Sequence, residues 1–314
     1  MRENNERAAF VDVRDRDGVL IADKPSGMSS GFACRRVQRH FGFRKAGHLG
    51  TLDPLATGVL PLCVNDGTRL AQFLMRADKE YVATMHLGIV TDTQDSQGCV
   101  LSAMDSLPAS ADEIRRVCER FRGEQLQVPP MYSALKRNGR PLYELARRGE
   151  TVERQQRPVT VYALEVTAVD LPDVTLRVHC SSGTYVRTLC HDIGRALGCG
   201  AHLSALRRIR SGPFEIGDAL ALEEALGRVP GAVPGRCFVP MRAALVDMPE
   251  IVLDAECARK VCNGVQLAGP ELYAPGAQAL QRGVRIKLVA QDGRLLGIGV
   301  YSADALRPVR VFAH

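Results

Sequence analysis

One carboxylate stands apart by its surroundings. Between Gly42 and Gly58 the chain carries four glycines (42, 47, 50 and 58) and one proline, but Asp53 is its only acid. Leu52 and Pro54 bracket Asp53, which removes nearby polarity and one backbone donor. Glycines on either side let the main chain approach a bound ligand closely. His48 lies upstream in the same stretch. A carboxylate so placed suits attack on a carbon centre or removal of a proton. Asp-Pro also commonly starts a turn, so the same residues can equally be read as a plain connector. Further along, Tyr185 and Arg187 follow the turn Ser181-Ser182-Gly183 and share a face if the chain there stays extended. Two rival chemistries have no motif: there is no G-x-x-x-x-G-K-[ST] loop and no G-x-G-x-x-G fingerprint.

The elements that would position these residues can be outlined. Val19-Leu20-Ile21-Ala22 reads as a strand ending at Asp23-Lys24-Pro25. Ser29 or Ser30 can cap a helix running to about Phe41, with Ala33, Val37 and Phe41 on its buried stripe. From Gly42 to Gly58 no period survives, and irregular loops of about 15 residues favour a functional explanation. Strands are expected at 59–64, 80–87, 159–169 and 174–180, and helices at 68–74, 111–121, 142–148 and 188–197. Pro230, Gly231, Pro234, Gly235, Pro240 and Pro249 punctuate a stretch where a domain boundary is expected. The division is a leader over 1–17 without order, a catalytic domain over 18–247 and a small β-rich module over 248–314.

The chain has 314 residues, 46% hydrophobic and 24% charged, an ordinary globular composition long enough for two cores. No apolar run reaches membrane-spanning length. The charged N-terminus lacks a signal peptide's apolar segment, which points to the cytoplasm. Ten cysteines without a C-x-x-C pair are read as buried reduced thiols. His179, His191 and His202 lie near Cys180, Cys190 and Cys199, but not at zinc-ligand spacings, so no metal is expected. Net charge is +6, and only six of 41 basic residues are lysine. The clusters Arg35-Arg36, Arg147-Arg148 and Arg207-Arg208-Ile209-Arg210 suit phosphate, because guanidinium donates two hydrogen bonds at once. A solvated surface reads equally well.

The motifs themselves go further. Gly47-His48-Leu49-Gly50-Thr51-Leu52-Asp53-Pro54-Leu55-Ala56-Thr57-Gly58 resembles the catalytic motif of the TruB-type tRNA pseudouridine synthases. Asp23-Lys24-Pro25-Ser26-Gly27-Met28-Ser29-Ser30 resembles the family's first motif, and Asp78-Lys79-Glu80-Tyr81 its tyrosine motif. Pro130 to Lys136, Leu142-Tyr143-Glu144, Gly183 to Thr188 and Gly198 to Leu203 complete the series, in order, from Gly18 to about Arg210. The last 65 or so residues resemble the PUA-like module of bacterial members. One departure is Leu49, where many family members carry threonine.

The resemblance implies an α+β catalytic domain around a mixed, largely antiparallel sheet. It implies isomerisation of uridine to pseudouridine at position 55 in the T-arm of tRNA, with no cofactor and no obligatory protein partner, by a monomer. Asp53 would be the catalytic carboxylate acting on the ribose. Tyr81 would stack on the flipped base, Tyr185 and Leu206 would line the uridine pocket, and Arg187 would pair with Asp53. His48 would contact the RNA, while Lys24 and Pro25 would support the loop. Loss of the C5 hydrogen needs a second base, for which Tyr81 is a candidate. Two other classes compete: an RNA-binding folding factor that does not depend on turnover, and a nucleoside-cleaving enzyme. The latter usually needs two cooperating carboxylates, and this loop has one.

Overall fold

The computed structural model describes residues 10–108, 110–137, 139–227, 231–268, 282–302 and 305–312. Met1 to Ala9, half of the expected leader, lie outside the described residues. Its remainder is not without order: Phe10–Asp12 pairs antiparallel with Ala232–Pro234.

An eleven-stranded mixed sheet forms the body of the protein. Its central order is Gly18–Lys24, Thr57–Val64, Ala201–Ser211, Lys79–Leu87, Asp173–Cys180, Arg157–Asp170 and Gly123–Gln127. All neighbours in this run are antiparallel except Thr57–Val64 with Ala201–Ser211. The sequence pattern follows from what covers each strand. Gly18–Lys24 and Thr57–Val64 are buried on both faces and read as continuous apolar runs. Lys79–Leu87 is buried on one face and alternates. The helices Ser30–Phe41, Ala111–Glu119 and Val186–Ala196 supply Ala33, Val37, Phe41, Ile114, Cys118, Leu189 and Ile193 to the main core.

Two differences from the sequence expectation bear on the site. The Gly42–Gly58 stretch is not irregular throughout: Ala46–His48 pairs antiparallel with Leu62–Val64, and the long strand begins at Thr57. Three residues including Gly47 are too few to show alternation. The Ala201–Ser211 strand is not among the expected elements, because two register shifts, at 203/205 and 208/210, break its period of two.

Gly58 is required where the parallel strands meet. Its φ is +102°, and a Cβ there would stand 2.2 Å from the Arg208 carbonyl oxygen. Gly58→Ala should therefore destabilise the protein by about 2–4 kcal/mol, combining left-handed strain with overpacking. Chemical denaturation checks this; an unchanged midpoint would mean that the two strands are free to separate.

After the main sheet, Phe238–Pro240 still pairs with Gly18–Lys24. A separate five-stranded sheet then follows, ordered Glu250–Leu253, Arg285–Ala290, Leu295–Ser302, Ala305–Val311, Leu267–Ala268. The helix Ala255–Cys262, capped by Asp254, packs on it. Ile298 and Phe312 leave this sheet's own core and join a cluster with Val19, Ile21, Leu49, Val59 and Met241. No described helix is long and apolar enough to cross a membrane. None of the ten cysteines, all among the described residues, forms a disulfide; Cys99 is exposed and Cys262 half-buried.

Candidate active site

The Asp53 segment is held from beneath by the first motif. Ser29 caps the Ser30–Phe41 helix by accepting from the Phe32 N–H, which leaves Ser30 free for another task. Buried Ser30 Oγ donates to the Leu52 carbonyl at 2.9 Å and accepts from the Leu52 N–H at 2.8 Å. Lys24 is fully buried, and its ammonium donates to the carbonyls of Pro25, Met28 and Pro54. Burial pushes the Lys24 pKa down to about 8. The Gly27 N–H donates to the Pro54 carbonyl, and Ser26 Oγ to that of Leu55. Lys24 thus touches the loop from behind through Pro54, and neither Lys24 nor Pro25 lines the pocket that Asp53 enters.

That pocket encloses about 290 Å³. Five of the expected residues meet in it: Asp53, Tyr81, Tyr185, Arg187 and Leu206. Tyr81 and Leu206 come from the antiparallel strands Lys79–Leu87 and Ala201–Ser211. Tyr185 and Arg187 are not on an extended strand, because the helix starts at Val186. Tyr185 is its N-cap, held by Gln127, whose side chain accepts from the Tyr185 N–H and donates to its carbonyl. His48 ends the short Ala46–His48 strand outside the pocket lining, half-buried, with Nδ1 lacking a hydrogen-bond partner among the described residues.

Arg187 is the hub. Its Nε lies 2.9 Å from Asp53 Oδ2 as an ion pair too bent for a hydrogen bond, and Nη2 donates to Asp53 Oδ1 at 3.3 Å. The same Nη2 donates to the Tyr132 carbonyl at 2.8 Å. Nη1 donates to the Thr93 carbonyl and, at 3.2 Å, to Asp95 Oδ2. Asp95 is itself buried and accepts from Thr93 Oγ1 and the Gln97 N–H. Two carboxylates therefore share one guanidinium, and only Asp53, 31% exposed, faces the pocket.

Burial pushes the Asp53 carboxyl above the ordinary aspartate range. Arg187 opposes this and Asp95 adds to it. Burial also raises the Tyr81 phenol, with Arg208 pulling the other way, and lowers the His48 imidazole. A phenol so raised stays neutral at ordinary pH. No metal-binding cluster of three or more ligating side chains occurs among the described residues.

Asp95 and Gln127 receive no role from the sequence, and Lys79 and Arg208 enter it only as members of a motif and of an arginine cluster. The Arg207–Arg210 run does not form one phosphate-facing patch. Arg207 pairs with Asp23, Arg210 with Glu80, and Arg208 is buried in the pocket wall. Once the strand is known, Arg208 shares the face of Leu206 by its spacing, a usable signal.

The chain matches the family model described as TruB family pseudouridylate synthase (N terminal domain) over residues 38–186. Residues 187–229 match the tRNA pseudouridylate synthase B C-terminal domain. It is 49% identical over 300 residues to tRNA pseudouridine synthase B of Burkholderia pseudomallei (strain 668), covering 95% of this chain and 97% of that protein. Against the Ralstonia pickettii (strain 12J) protein of the same name, identity is 46% over 304 residues, with 95% of each chain covered. Among solved structures, an H/ACA RNP bound to a substrate RNA containing 2'-deoxyuridine is similar at TM-score 0.72 and 28% identity, covering 96% of this chain and 86% of that one. A Cbf5-Nop10-Gar1 complex is similar at TM-score 0.70 and 27% identity, covering 98% and 95%.

Proposed function

The chain belongs to the TruB family of tRNA pseudouridine synthases, and on that premise we propose that it isomerises the T-arm uridine at position 55 with Asp53 as the catalytic carboxylate. The observation that carries this is the Asp53–Arg187 pair at a pocket walled by Tyr81, Tyr185 and Leu206. The reaction breaks the N1–C1′ bond, turns the uracil and joins C5 to C1′. N1 gains a proton and C5 loses one, so the product is an isomer and no cofactor is needed. Flipping the uridine out of its stack costs a few kcal/mol. Stacking on Tyr81 offsets part of that, since a base–aromatic contact contributes about 1–3 kcal/mol. Asp53 must be ionised to act on the ribose, and Arg187 both orients it and favours its charged form. His48 is assigned to the RNA beside the flipped nucleotide, and Lys24 and Pro25 to support of the loop.

We assign residues 18–247 to catalysis and 248–314 to RNA binding, working as a single chain. Arg285, Arg307 and Arg310 on the smaller sheet are exposed and available to phosphate.

Tritium release from a tRNA transcript labelled at uridine C5 tests the function. Wild-type protein should release one tritium per transcript. A transcript with cytidine in place of the T-arm uridine should release none. No release from either transcript would defeat the enzyme reading, and equal release from both would move the target elsewhere.

A further inference from the structure

Arg208 has no part in the roles assigned so far, yet it is among the largest fully buried side chains of the protein, 1% exposed. Its strand has two neighbours. On the parallel side Arg208 stands opposite Gly58, and on the antiparallel side opposite Tyr81. Its guanidinium Nε donates to the Val59 carbonyl at 2.7 Å, and Nη2 donates to the Gly50 carbonyl at 3.2 Å. Those carbonyls stand at the two ends of the segment that carries Asp53. Nη1 turns toward Gly50, at whose φ of +93° a Cβ would lie 3.5 Å away. Arg208 and Tyr81 line the same pocket, and the guanidinium pulls the Tyr81 phenol down against the effect of burial.

We propose that Arg208 is a positioning residue that fixes the distance between the Asp53 segment and the Tyr81 ring. It rests on the roles assigned to Asp53 and Tyr81 above. The sugar is addressed by a loop and the base by a strand, and nothing in the local sequence of either sets their separation. A planar fork fastened to both loop ends, from the strand position opposite Tyr81, sets it. The rigid guanidinium donates in divergent directions at once, whereas a lysine ammonium is a compact point donor on a flexible stem. A purely structural role would instead satisfy the two carbonyls and leave the chemistry unchanged once the protein has folded.

Single-turnover pseudouridine formation and tRNA affinity should be measured for Arg208→Lys and Arg208→Met, each also in a Tyr81→Phe background. Both variants should slow turnover by about 100-fold, as a displacement near 1 Å does, with affinity held within about threefold. In the Tyr81→Phe background the loss should shrink by about fivefold or more, because contacting residues do not act additively. Equal losses in both backgrounds, or a loss seen only in affinity, would overturn the proposal. If Arg208→Met does not fold, Arg208→Lys carries the same comparison. A wild-type protein that releases no tritium defeats the assigned function instead, before any Arg208 variant is read.

Discussion

Asp53→Asn should abolish pseudouridine formation, by about 10⁴-fold or more, as loss of a catalytic carboxylate does. Transfer RNA affinity should stay within about threefold, since the amide keeps the shape of the pocket floor while losing the charge that acts only in the transition state. Tritium release and a filter-binding titration on one preparation check both halves. Turnover within tenfold of wild type would remove Asp53 from the mechanism. Stability should move the other way. Burial raises the folded-state pKa of Asp53 above its unfolded value. Its favourable contribution is then complete only below the unfolded pKa and is lost as pH rises through the folded pKa. At neutral pH the charged group is a burden on folding, and Arg187 retains Asp95 as a partner when Asp53 is gone. Asp53→Asn should melt no lower than wild type at pH 7, and any advantage should fade as the pH falls through the raised pKa. A clear loss of stability at pH 7 would show the ion pair to matter more than the burial.

Arg187→Met should cost about 10²–10³ in turnover, comparable to removing a preorganised charge stabiliser. Its pH dependence is the sharper signature. Arg187 lowers the Asp53 pKa, so its removal raises that pKa further. The acid limb of turnover, expected above the ordinary aspartate range in wild type because burial raises Asp53, should move to higher pH in the variant. An unmoved limb would show that the titration belongs to another group. Stability should fall too, by about 3–5 kcal/mol, because the buried Asp95 loses its ionic partner. Asp95→Asn added to Arg187→Met should recover much of that stability and none of the turnover. Recovery of turnover would mean that Arg187 serves only to hold the fold. Affinity loss at unchanged turnover would instead make Arg187 a phosphate contact.

Much of the site is legible in the sequence, because its segments are local. The 23–30 and 47–58 motifs lie close along the chain, and their contacts, Lys24 to Pro54 and Ser30 to Leu52, join them directly. What escapes is carried by long-range pairing. Asp95 meets Arg187 across 92 positions, and Arg208 meets Gly50 across 158. A run of arginines says nothing about which strand face each will take. Successive side chains in a strand alternate faces, and here a register shift intervenes as well, so Arg207, Arg208 and Arg210 end in three different environments. The sheet's largely antiparallel character came with the motifs and their resemblance. The Ala201–Ser211 strand, at its centre, is hidden by its own irregularity.

Leu49 shares a buried cluster with residues from both ends of the chain. Val19 and Ile21 come from an early strand, Ile298 comes from the smaller sheet, and Phe312 directly follows that sheet's Ala305–Val311 strand. The segment bearing Asp53 is thus wedged from behind by hydrocarbon that the ribosome delivers long after the loop itself. The catalytic part is not finished when its own residues have been made. Leucine at position 49, 2% exposed, fills this apolar cluster with hydrocarbon where threonine would bury a hydroxyl. The same apolar cluster thus ties the segment bearing Asp53 to both sheets.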